Sequence, residues 1–305
     1  MNYRKQQAEH QIAILNEIIG GDSHPYFLDD GKTNLYKSIR KDVLIYFEKN
    51  EIGWWHGKEP TANTLSSQIS CLNHLFSISD KKDIVLSMVK NLDESFIDVL
   101  PIPNEKDSLG MRYIGFEVVA QTPNYMNEGT IKRGATCTSL DALIIAKRID
   151  GSKCLIPIEW KYTENDHSDK SSNETRHKRY DALISNSKFL KVNSDSLSLF
   201  FKEPYYQLMR QTLWAELIIR EDSIFNDEKY KWYEASDYFH LHVIPEGNVA
   251  MRGKGNRMAH EWKSCLKEPL KYRLIDPEDL FRPIADGYPE CKELIKYLSD
   301  RYWQK

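Results

Sequence analysis

The chain has no Cys-x-x-Cys pair. Its five cysteines, Cys71, Cys137, Cys154, Cys265 and Cys291, are odd in number and scattered, which excludes a disulfide framework and a cysteine zinc site. It also lacks GxGxxG and GxxxxGK[ST] sequences, so dinucleotide redox chemistry and ATP-driven work have no phosphate cradle. No apolar run approaches the ~20 residues that span a bilayer, and the opening "MNYRKQQAEHQIAILNEIIG" reads as charged and amphipathic rather than as a signal. Charge of one sign is missing too: 42 Lys+Arg against 45 Asp+Glu leave a net −3, so any site for a polyanion must be local. No repeat or long low-complexity tract interrupts the chain. What remains is 305 residues with 41% hydrophobic and 11% aromatic side chains, enough for a substantial core. The expectation is a soluble, cytoplasmic protein with no membrane partner.

Apolar residues recur at three- and four-residue spacing over 3–20, 33–50, 61–79 and 82–98, which predicts four helices. From about residue 106 the pattern turns to strands: 111–121, 138–149 and 154–163. A helix over 203–221 and a strand over 238–247 follow. The polar stretch 164–181, "ENDHSDKSSNETRHKRYD", reads as a loop.

The informative stretch is "TSLDALIIAKRIDGSKCLIPIEWKYTEND", apolar yet carrying Asp141, Glu159 and Lys161. Asp-Gly within "IDGSK" signals an antiparallel hairpin. Loop parity then decides the outcome. An odd loop, Ile149 to Gly151 with Gly151 left-handed, puts Asp141 opposite Glu159 and turns all three charges to one face; an even loop turns Asp141 away, to the side of Trp160. In the first case two repelling carboxylates call for a hard divalent cation, with the Trp160 backbone carbonyl as a third oxygen ligand and Lys161 to stabilise charge on a phosphate. Glu117, in "YIGFEVVAQ", either adds a ligand or faces solvent. Gln207 and Arg210 on the 203–221 helix, with Gln68 and Asn73 in "SSQISCLNHLF", either support the site or sit in ordinary helix-surface bonds. Glu164 reads as a strand-end charge. Two basic runs, Arg176, Lys178 and Arg179 in "TRHKRY" and Arg252, Lys254 and Arg257 in "MRGKGNR", are either solvated loops or grips for phosphates, the second being the better candidate because its glycines let backbone amides approach an anion. His240 and His242 share a strand face without partner ligands, a poor zinc site.

Asp at the head of one strand, Glu-x-Lys on the next, then a helix and a further strand, resembles the PD-(D/E)xK nuclease superfamily. The phrases "RGATCTSLDALI", "IEWKYTE" and "YYQLMRQTLWAEL", with the upstream "SSQISCLNHLF", resemble a group of bacterial restriction endonucleases over roughly residues 61–250. Leu140 departs from the motif, standing where Pro is usual, and the Gln-x-x-x-Tyr of some relatives fails because Gln211 follows Gln207. The resemblance implies an α/β restriction-endonuclease-like core with a mixed central β-sheet flanked by helices, plus a helical N-terminal region. On it, 1–305 is one nuclease domain: 1–105 mainly helical, 106–270 the catalytic core, 271–305 a C-terminal helical segment. It further implies Asp141 and Glu159 as ligands of Mg²⁺ or Mn²⁺, Lys161 as the catalytic lysine, double-stranded DNA as substrate, and room for a homodimer. The rival expectation is a nucleic-acid-binding subunit that keeps the fold without cutting.

Overall fold

The computed structural model describes residues 2–15, 26–54, 57–102, 110–119, 126, 128, 137–219 and 234–303. Four helices come first: α1 (Tyr3–Ile14), α2 (Arg40–Lys49), α3 (Ser67–Leu75) and α4 (Lys82–Lys90). The strands β1 (Phe96–Leu100), β2 (Gly115–Val119), β3 (Ser139–Arg148) and β4 (Lys153–Trp160) follow. Next are α5 (Glu174–Ser185), α6 (Ser194–Leu199) and α7 (Tyr205–Ile219), then β5 (Asp237–Tyr238), β6 (His240–Val243), α8 (Val249–Arg252), α9 (Arg257–Ser264), β7 (Tyr272–Ile275), α10 (Pro277–Gly287) and α11 (Lys292–Tyr302). Parts of three expected elements lie outside the described residues: 16–20 of the first helix, 120–121 of the first strand and 220–221 of the fifth helix.

The described strands form one mixed sheet of seven, ordered β1-β3-β4-β6-β7, with β2 also on β3 and β5 also on β4. Pairings among β1 to β4 are antiparallel; β4 with β5 and β6, and β6 with β7, are parallel. Each parallel step needs a crossover, and helices supply it: α5 to α7 before β6, and α8 with α9 before β7. Two apolar layers cover the sheet. One gathers α2, α3, α4, α10 and α11 on Ala142, Ile144, Ile156, Ile158 and Trp160. The other gathers α5, α7 and α9 on Leu143, Ile145, Leu155 and Tyr272. Helices on both faces make the central strands apolar on both sides, which is why β3 and β4 read as nearly unbroken apolar runs.

Three expectations are corrected. Residues 96–98 are strand, not the end of a helix: the register slips between Phe96 and Asp98, and this bulge puts buried Phe96 and Val99 three residues apart on one face, a spacing that imitates a helix. The stretch 174–181 is helical rather than loop. Asn173 caps α5 by accepting the Arg176 N–H at 3.2 Å, and only Tyr180 and Ile184 anchor it, one turn apart under a charged surface. Residues 272–275 form the edge strand β7 ahead of the two C-terminal helices, and four residues were too few to reveal a period of two.

Candidate active site

The β3–β4 hairpin turns through three residues. Gly151 N–H donates to the Arg148 carbonyl and Arg148 N–H to the Ser152 carbonyl, both at 2.9 Å, and Gly151 takes φ +89°. The loop is therefore odd. Pairing runs from Lys147 with Lys153 to Ala142 with Ile158, and one further step sets Asp141 opposite Glu159. There the strands part: Trp160 N–H donates to Asp141 Oδ2 at 2.7 Å, so the aspartate fills the fork.

On the other edge of β3, the pairs Phe116–Ala142 and Val118–Leu140 bracket Glu117 opposite Asp141. Three carboxylates thus form a row across β2, β3 and β4. The row is also where the strands change face. Phe116 and Ala142 pack in the α3 layer, Val118 and Leu140 in the α7 layer, a switch that regular alternation forbids and that the left-handed Glu117, φ +49°, permits. The single flat face expected from parity is accordingly replaced by a seam. Glu117 and Asp141 line a narrow cleft with Phe47, Gln68, Cys71 and Leu72. Gln68 Nε2 donates to Glu117 Oε1 at 2.7 Å and Ser139 Oγ to Oε2 at 2.9 Å.

Glu159 and Lys161 are held from α7 instead. Lys161 Nζ lies 2.5 Å from Glu159 Oε1 and donates to Gln207 Oε1 at 2.7 Å. Gln211 Nε2 donates to Glu159 Oε2, while its Oε1 meets His240 Nε2 at 2.8 Å. The sequence groups Gln211 with Gln207 and Arg210 on one helix face but does not give its bond to Glu159, and it presents His240 only as a poor zinc ligand. Burial lowers the His240 imidazole to about 3. It is therefore neutral and donates to Gln211.

Electrostatics separate the roles. Burial raises the Asp141 carboxyl well above the usual range, the Glu159 charge raises it further, Lys161 opposes, and Glu117 adds a smaller push. Burial works against the Lys161 ammonium, but Glu159 and Asp141 overcome it and raise its pKa. Lys161 is a fixed cation standing on Glu159. Among the described residues no three His, Cys, Asp or Glu side chains close into a metal cage. Two carboxylates at a fork, one destabilised by its neighbours' charge, match the sparser donor set by which Mg²⁺ is usually bound, with water and phosphate completing the shell.

The other candidates disperse. Asn73 ties loops together, accepting the Tyr36 N–H and donating to the Asn34 carbonyl, and Glu164 accepts the Tyr162 N–H at 2.7 Å. Arg252 is buried and gives its donors to the Ile244 carbonyl, whereas Lys254 and Arg257 are exposed. Lys178 is exposed and Arg179 half-buried on α5. Arg176 and Arg210 both lie over the Tyr206 ring, at 4.5 and 4.9 Å.

A mixed sheet covered by helices, with a carboxylate and a Glu-x-Lys at the fork of its central hairpin, is consistent with the restriction-endonuclease-like class. Residues 29–303 match the family described as restriction endonuclease associating with ARP, and the chain belongs to that family. No curated protein and no solved structure matches it.

Proposed function

We propose that the protein is a PD-(D/E)xK-type nuclease that hydrolyses phosphodiester bonds in duplex DNA and uses Mg²⁺ or Mn²⁺. The observation that carries this is the hairpin fork, where register sets Asp141 opposite Glu159 and Lys161 lies on Glu159. Asp141, Glu159 and the Trp160 carbonyl are the groups that would hold the metal. Bound there, it would supply Lewis acidity and an activated water. Lys161, kept cationic by its neighbours, stabilises charge building on the phosphate; Gln207 aims the lysine and Gln211 aims Glu159. Glu117, fixed by Gln68, raises the negative potential that attracts a cation.

A second reading has one observation behind it: both Glu159 oxygens already carry partners, Lys161 and Gln211, an arrangement that a non-cutting nucleic-acid-binding subunit would keep. Incubation with Mg²⁺ or Mn²⁺ and labelled linear, circular and single-stranded DNA decides between the two. The nuclease reading expects metal-dependent cutting, abolished by Asp141→Ala, Glu159→Ala and Lys161→Ala with the circular dichroism spectrum unchanged. DNA binding without cutting under every metal tried would leave the second reading.

A further inference from the structure

Buried polar atoms without partners are uncommon in folded proteins, and each asks for an explanation. Four of them collect at the junction of α5 and α7: Arg210 Nε, one terminal nitrogen of Arg176, Glu203 Oε2 and Ser168 Oγ. The chain ties this junction together, since Glu203 N–H donates to the Ser168 carbonyl at 3.0 Å. Both guanidinium groups are stacked on Tyr206, which holds them in place from the apolar side. Among the described residues, no carboxylate comes within ion-pair distance of either arginine. Glu128 and Glu203 act on Arg210 from beyond ion-pair distance, so two half-buried cations keep N–H donors that no acceptor meets, an expensive arrangement unless an acceptor completes it.

The junction adjoins the seam. Burial raises the Glu203 carboxyl while Lys161 and Arg210 both pull it down, so Glu203 feels the proposed catalytic lysine on one side and the arginine on the other. Along α7, residues 207, 210 and 211 recur at helical spacing, Glu203 lies just ahead of the helix, and two of the three, Gln207 and Gln211, already contact Lys161 and Glu159. Resting on the nuclease reading, we propose that Arg176 and Arg210, braced on Tyr206, form a phosphate subsite that takes a second backbone phosphate of the strand being cut. A phosphodiester offers what the two guanidinium groups lack within reach: acceptor oxygens that a guanidinium fork can meet in pairs. This assigns α5, rather than the glycine-containing "MRGKGNR" run, as the near grip on the nucleic acid.

The test is run with a chelator present, so that cutting plays no part. In the first arm, inorganic phosphate is compared with chloride at equal ionic strength. The unsubstituted protein should melt a few degrees higher in phosphate, and Arg210→Gln and Arg176→Gln should each lose most of that shift. In the second arm, duplex DNA binding is followed against salt, and each variant should lower the slope of log affinity against log salt by about one, whatever the DNA sequence. Should Arg210→Gln fail to fold, Arg176→Gln, on the helix surface, decides. A full phosphate shift in both variants, no shift in the unsubstituted protein, or unchanged salt slopes would overturn the subsite. If the unsubstituted protein binds no duplex yet the phosphate shift follows the arginines, the subsite stands as one for free phosphate and the nuclease reading is the part that falls.

Discussion

Asp141 carries the least comfortable charge at the seam. Its carboxyl is raised by burial and by Glu159, so the folded protein holds that proton more tightly than the unfolded chain does. The sign follows: the stabilisation from the protonated form is present at acid pH and is lost as pH rises through the raised pKa. In chelator, Asp141→Asn should therefore melt a few degrees above the unsubstituted protein at neutral pH, and the gap should close on acidification. Adding Mg²⁺ or Mn²⁺ should raise the melting temperature of the unsubstituted protein but not of the variant; equal metal-induced shifts would place the ion elsewhere. A neighbouring test concerns the line from His240 through Gln211 to Glu159. Groups that orient a ligand typically matter 10- to 100-fold for metal affinity or activity. Gln211→Leu should cost roughly that factor, seen as a higher metal concentration for half-maximal cutting, and His240→Phe should move the same quantity less. Unchanged metal dependence in Gln211→Leu would reduce the line to packing.

At the scale of elements, the hairpin turn governs the site from its far end. Gly151 sits at φ +89° with open space around its Cα, so a side chain there meets no neighbour, only backbone strain of roughly 1 kcal/mol or more. Gly151→Val should lower stability by about that amount. It should also reduce cutting if the turn relaxes by gaining or losing a residue, because an even loop moves Asp141 out of register with Glu159; Gly151→Asn, which tolerates left-handed φ, should recover most of both. Full activity in the valine variant with an unchanged fold would detach register from function. This hairpin was legible because turn chemistry and strand period are local properties. Its parity follows the expectation of an odd loop with Gly151 left-handed, an expectation that rests on the three charges sharing one site, since sequence sets no loop length where two turns are sterically allowed. Elements shaped by distant partners were less legible: the bulged β1 imitated a helix, the highly charged α5 passed for a loop, and β7 was too short to show a period. In the candidate site, Asp141, Glu159 and Lys161 stand out by residue type, strand context and resemblance to the PD-(D/E)xK pattern, the bare spacing being common by chance. Gln211 and His240 do not, because their roles depend on how α7 and β6 cross, and the change of face at Glu117 depends on a backbone angle that glutamate seldom adopts.

For the whole molecule, three buried histidines oppose acid. Burial lowers His74 and His240 to about 3 and His242 well below its usual value. The unfolded chain takes up these protons near pH 6.5 and the folded one does not, so stability is intact above that pH and falls as pH drops below it. Each pulls stability down by at most about 1.4 kcal/mol per pH unit once its unfolded form is fully protonated. The raised carboxyls of Asp141, Glu203 and Asp276 act with the opposite sign, so the check is a comparison: urea midpoints from neutral pH down to pH 5 should fall less steeply in His240→Phe than in the unsubstituted protein, and equal slopes would mean that this ring is protonated in the fold. The seam has a consequence at this same scale. Glu117 is gripped by α3, which precedes the sheet in the chain, whereas Glu159 and Lys161 are gripped by α7, which reaches them only after β4 has been laid down and its crossover seated. A chain extending only through β4 and Lys161 therefore carries Asp141, Glu159 and Lys161 without the two α7 amides that aim the last two. On the nuclease reading, such a length of chain has the proposed metal ligands but no means of aiming them.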